Sequence, residues 1–279
     1  MNESKSIIPE EIRLRKGART AKELTPEVLD YLNSGAIESV NLTEWLAVDH
    51  IRLLEQVASE LTLHEQGARM LLALEATQGQ STMKVIAAIA EQWLIVIGAM
   101  QQADGERLLA RLVAHPSDSV RCWATFATAL SHETLEDKLS HSRPYAADRH
   151  FGVREIAWMA VRDAVAADAQ AAITLLTPWV ADADANIRRF AVEATRPRGV
   201  WARHIAELKT YPEWALPLLE PLKADPSKYV QDSVANWLND ASKTRPEWVV
   251  DVCQGWLRDS DHPATKRMAS RAQRSLPKG

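Results

Sequence analysis

Four segments of the 279-residue chain resemble one another and recur at a spacing few folds permit. They are Asp118–Ala124 (DSVRCWA), Phe151–Ala157 (FGVREIA), Ala185–Ala191 (ANIRRFA) and Lys228–Val234 (KYVQDSV), with a weaker fifth at Pro263–Ala269. Superposing their β-branched residues Val120, Val153, Ile187 and Val230 gives steps of 33, 34 and 43 residues. Four residues after each anchor stands Ala124, Ala157, Ala191 or Val234, and Arg follows the anchor in three of the four. Apolar residues at i and i+4 lie on one side of a helix. Between the segments run further helical patterns, such as Ala171–Val180 and Trp214–Leu222. A helix pair repeated every roughly 30–45 residues marks a HEAT-type array. The expected fold class is therefore all-α: a HEAT-like-repeat α-solenoid (an α-α superhelix) with a concave binding face. Pro178, Pro212, Pro217 and Pro246 then fall near helix starts or kinks, where proline is tolerated.

The remaining sequence supports the same class. Leu42–Ala58 and Ala68–Leu74 carry helical apolar spacing, and Met83–Met100 reads as the most buried helix. No alternating β-branched run and no Asn-Gly or Asp-Gly hairpin signal occurs. Residues 1–40 read as an N-terminal arm or helical extension, polar over 1–24, and 41–279 as the repeat domain. Met1–Pro9 shows no apolar signal region, and the longest apolar run, Leu94–Met100, falls far short of a membrane span. Cys122 and Cys253 flank no CxxC. We expect a reduced, cytoplasmic, soluble protein acting as a monomer, with no cofactor, no metal and no membrane partner. Catalytic-metal, nucleotide-binding and hydrolase-elbow motifs are all missing: no HExxH, GxGxxG, Walker A or GxSxG is present. Net charge is −4 and uneven: residues 1–141 carry 13 Lys and Arg against 20 Asp and Glu (−7), residues 142–279 carry 20 against 17 (+3).

Repeat logic assigns a polar face. Positions two, six and nine or ten after each anchor share a side of the helix away from the stack. These are Cys122, Phe126 and Ala129 in the first repeat, then Glu155, Met159, Arg162 and Asp163; Arg189, Glu193 and Arg196; and Asp232, Asn236, Asn239 and Asp240. Three successive repeats thus place carboxylates, arginines and amides together. From Arg143 to Arg203 there are nine Arg and no Lys. Arginine suits planar, bidentate contact to phosphate or carboxylate, so this cluster is a candidate binding face; a solvated helix surface is the alternative. Arg196 and Arg198 flank Pro197 on a stiff turn, with Trp201 just beyond. Two guanidiniums and an indole there can grip phosphate and stack on a base; the alternative is a Trp that plugs a gap between repeats. Of the ten Trp, Trp158, Trp201 and Trp237 lie near the polar face.

Two stretches, Asn186–Trp201 (NIRRFAVEATRPRGVW) and Leu219–Lys243 (LEPLKADPSKYVQDSVANWLNDASK), resemble motifs of the AlkC branch of the HEAT-like-repeat alkylpurine DNA glycosylases. The resemblance covers roughly residues 115–260. It implies a protein that binds double-stranded DNA containing alkylated bases and removes cationic purines of the 3-methyladenine kind by hydrolysing the N-glycosidic bond. It implies catalytic roles for Glu155, Glu193 and Asp240. DNA contacts are expected from Arg154, Arg189, Arg196, Arg198, Trp201, Asn236 and Lys243, with Trp158, Trp201 and Trp237 against the base. The chemistry is coherent: a cationic purine leaves readily, and ionised carboxylates offset the oxocarbenium-like charge on the sugar. Two other classes stand beside this one: a DNA-structure-binding protein without excision activity, and a protein–protein scaffold.

Overall fold

A computed structural model describes residues 8–277, and the first seven residues of the expected arm lie outside them. Every regular element among the described residues is helical. The chain forms two compact units, residues 1–127 and 128–279.

In the first unit run α1 (Glu10–Arg13), α2 (Pro26–Asn33), α3 (Leu42–Ala47), α4 (His50–Glu60), α5 (His64–Ala73), α6 (Thr82–Gly98), α7 (Gln102–Val113) and most of α8 (Asp118–Leu130). The units do not divide at residue 40, as the sequence suggests. Arg15 instead grips the buried Glu44 carboxylate with two hydrogen bonds, 2.7 and 3.0 Å. The Asn41 amide donates to the Ala18 carbonyl, and Ile12 is buried. The single helix expected over Leu42–Ala58 is two helices. Asp49 accepts hydrogen bonds from the Ile51 and Arg52 N–H groups, satisfying the open donors of a new helix start. The apolar pattern at 83–100 does form a helix, α6, but α6 is less buried than α16, below; Ile95 on it is exposed.

The second unit continues with α9 (Leu135–Ala146), α10 (Phe151–Ala160), α11 (Arg162–Ala167), α12 (Ala169–Leu176), α13 (Ala185–Ala194), α14 (Ala206–Thr210), α15 (Leu216–Leu219), α16 (Lys228–Ser242), α17 (Pro246–Asp259) and α18 (Pro263–Ala272). The repeated segments begin α8, α10, α13, α16 and α18. In this unit α10 packs on α13, α13 on α16 and α16 on α18, so the repeated helices form one row. The anchors and their partners four residues on are the row's core: Val153, Ala157, Ile187, Ala191, Val230 and Val234 are at most 3% exposed. The third repeat is the longest because Pro212, Pro217 and Pro221 break its first-layer helix into short pieces, and an irregular segment, 195–205, precedes it.

The residue after the anchor has one repeated task. Arg121 Nη1 donates to the carbonyls of His115 and Pro116, Arg154 Nη1 to those of Asp148 and Arg149, and Arg188 Nη1 to those of Asp182 and Ala183. Gln231 does the same to the Asp225 carbonyl. Each side chain closes the turn that precedes its own helix, five and six residues upstream. Arg188 also reaches the carboxylate of Asp225, at the next turn, with bonds of 2.7 and 3.1 Å.

Candidate active site

The positions two, six and nine residues after the anchors of α10 and α13 meet position ten of α16 in one chain of alternating charge. Glu155 begins it on α10. Its Oε1 accepts from Arg189 Nη2 at 2.5 Å and its Oε2 from the Trp158 indole at 2.8 Å. Arg189, on α13, lies 3.6 Å from Glu193, one turn along the same helix, and its guanidinium sits over the Tyr229 ring, 4.2 Å from the centroid. Glu193 accepts from the Ser233 hydroxyl at 2.7 Å and from Arg196 at 3.1 Å. Arg196 gives two further bonds to Asp240 Oδ2, 2.9 and 2.7 Å. Lys243 ends the chain with a 3.2 Å bond to Asp240 Oδ1.

Burial divides these carboxylates. The Glu193 and Asp240 side chains are 3% and 6% exposed, whereas that of Glu155 is 29% exposed. The expectation of three carboxylates standing open in a trough is therefore corrected. Glu193 and Asp240 are enclosed and paired, because each row helix presents its second-turn arginine to its neighbour's acid. Burial pushes the Glu193 carboxyl up, but Arg189 and Arg196 outweigh it and hold it below the ordinary value, ionised. Burial likewise works against the charges of Arg189 and Arg196, and the facing carboxylates, Glu193 foremost, raise both overall.

The arginines expected to form a DNA-contacting face are mostly spent inside the molecule. Arg154 holds its turn and stacks over Tyr229, 5.3 Å from the ring centre. Arg143 pairs with Asp182, Arg188 with Asp225, and Arg189 and Arg196 belong to the charge chain. Asn236 accepts from Arg274 at 2.8 Å. Trp158 and Trp237 cannot touch a base as expected. They are 1% and 0% exposed, and their indole N–H groups are taken by Glu155 and by the Thr195 carbonyl. Trp237 stands seven residues after Val230, a spacing that itself points into the stack.

Trp201 differs from both. It is 55% exposed, with a left-handed backbone (φ 58°), a conformation uncommon outside glycine. It lies on the 195–205 segment with exposed Val200, Arg203 and His204 and half-buried Arg198. The positive surroundings show at His204: a little burial, then Lys209, Arg198 and Arg162, hold its pKa down. Sequence reasoning placed Arg162 on the polar face but missed its role. It is buried, and its guanidinium donates to the carbonyls of Ala194, Arg196 and Arg203. Among the described residues, no group of three or more acidic, His or Cys side chains is placed to hold a metal ion, and no helix is long and apolar enough to cross a membrane.

Array and row together define a class of helical-repeat proteins. Residues 152–272 match the DNA alkylation repair enzyme family, to which the chain belongs through this region. The chain is 28% identical to the alkylpurine DNA glycosylase AlkC of Pseudomonas fluorescens, solved bound to DNA containing an abasic site analogue. That alignment covers 81% of this chain and 62% of that one, with a TM-score of 0.66. AlkD2 of Streptococcus mutans shares the fold at 20% identity and a TM-score of 0.55, covering 76% of this chain and 100% of that one. A Bacillus subtilis (strain 168) protein, YhaZ, described as uncharacterized, is 40% identical over 119 residues. That is 43% of this chain, which spans only a third (33%) of the relative's length.

Proposed function

We propose that the protein is a DNA glycosylase that removes cationic alkylated purines, with the α10–α13–α16 face as its site. The observation that carries this reading is the convergence of three carboxylates from successive row helices next to a cationic segment bearing an exposed indole. The family match and the likeness to AlkC support it.

The roles differ among the three acids. Glu155 is the partly open one and faces the substrate. Its two donors fix its rotamer, and each oxygen retains a lone pair. In the reaction the N-glycosidic bond breaks, its electron pair neutralises the departing purine, and positive charge grows on the sugar. Glu155 offsets that charge and orients the water that adds to C1′, taking its proton. Glu193 and Asp240 hold Arg189 and Arg196 in place and keep the surrounding field negative. Arg198, Arg203 and Lys243 meet phosphates, and Trp201 stacks on a base.

A second reading, DNA binding without excision, is favoured by the enclosure of Glu193 and Asp240. Release of methylated purine from alkylated duplex DNA separates the two. Release by the native protein, lost in Glu155→Gln with the fold retained, supports excision. Background release with salt-sensitive DNA affinity selects the second reading.

A further inference from the structure

Residues 195–205 form no regular element, yet they are fastened from beneath at several points. Trp237 donates to the Thr195 carbonyl at 3.0 Å, and the Ile205 N–H returns to the Pro197 carbonyl at 3.2 Å. The central fastening is Arg162, the first residue of α11, 2% exposed. Its Nη1 bonds the Ala194 carbonyl at 2.8 Å, its Nη2 the Arg196 carbonyl, and its Nε the Arg203 carbonyl at 2.7 Å. One planar group therefore ties the entrance of the segment to its exit. Gly199 lies against that plane: an added Cβ would stand 3.3 Å from Nη2 and 3.2 Å from the Ala202 Cβ. Between the tied points the chain turns outward to expose Val200 and Trp201.

We propose that Arg162 is a positioning residue, whose three carbonyl bonds fix the 194–203 backbone and so set the orientation in which Arg198 and Trp201 meet DNA. Its consequence for binding rests on the DNA reading above; its effect on the segment does not. Only a guanidinium serves. A lysine keeps the charge, but a single ammonium cannot span three carbonyls that the rigid fork reaches at once. Burial, then Arg196, lowers the Arg162 pKa to about 10, which leaves it charged at neutral pH.

The test uses the full chain labelled with fluorotryptophan. The Trp201 fluorine resonance is the one absent from Trp201→Phe, and the lines of buried Trp45 and Trp93 report that the fold persists. Arg162→Lys and Gly199→Ala, the second leaving Arg162 in place, are expected to shift and sharpen the Trp201 line with the buried lines unmoved. An unchanged Trp201 line in both variants overturns the proposal. Affinity for a duplex carrying one abasic-site analogue gives a second arm. Arg162→Lys is expected to weaken it about tenfold, and that loss should vanish in an Arg198→Ala, Trp201→Ala background. Full additivity overturns the positioning role. Absence of binding by the native protein sinks the DNA reading and leaves the fluorine arm to decide the proposal.

Discussion

Arg196 sits between two enclosed carboxylates, so its removal is more damaging than the loss of any surface arginine. Arg196→Ala leaves Glu193 and Asp240 buried without their common cation, and breaking a buried pair of this kind costs about 3–5 kcal/mol. Thermal unfolding checks this, and Arg203→Ala, on the exposed part of the segment, should leave the midpoint nearly unmoved. The acid side has a sign that can be worked out. The Glu193 carboxyl is held below its ordinary value of 4.5 in the folded state. Its ionisation therefore stabilises the fold fully above that value, and the contribution fades as pH falls through the lowered one. Denaturant titrations of the native protein and Glu193→Gln should differ by a constant amount at neutral pH and converge below about 4.5. Which acids come together was legible in the residues two, six and ten after each anchor. Their ion pairing was not, because a sequence gives the face a side chain shares but not which neighbour it grips.

At the scale of the helix, the repeated motif proves to be two devices in one. The β-branched anchor fills the row's core, and the next residue closes the turn before it. The anchor was readable from spacing alone. The arginine was misread as part of a binding face, since its real partners are main-chain carbonyls that composition cannot display. The absence of lysine from Arg143 to Arg203 has the same origin: a fork that bonds two carbonyls or a carboxylate edge-on is what these turns require. Arg188→Met should therefore destabilise the fold, because Asp225, buried at the next turn, loses its bidentate partner. About 3–5 kcal/mol is expected. Ile187→Ala, which opens a cavity in the same row, should cost about 2–5 kcal/mol. Chemical denaturation measures both, and the two losses should exceed their sum if core and turn fail together.

For the whole molecule, charge bookkeeping sets the strength of any hold on DNA. The chain carries a net charge of −4, and most arginines of the second unit are already paired within it. Few cations are left to displace counterions, so the account predicts a shallow salt dependence. Three or four phosphate contacts give a slope of log affinity against log salt of about −3, with Arg198→Ala and Lys243→Ala each reducing it by about 1. A slope steeper than about −6 would mean that the internal pairs open to meet phosphate. The helical-repeat class was readable because its anchors recur. The boundary at residue 40 was misplaced because the polar N-terminal stretch hides specific bonds, Arg15 to Glu44 and Asn41 to Ala18, that composition does not reveal.

The most direct test of the central claim is single-turnover excision of a methylated purine from duplex DNA, compared between the native protein and Glu155→Gln. The account predicts release by the native protein and a rate lower by about two to three orders of magnitude in the variant, with DNA affinity unchanged. Equal rates in the two proteins, or no release from the native one, would contradict it.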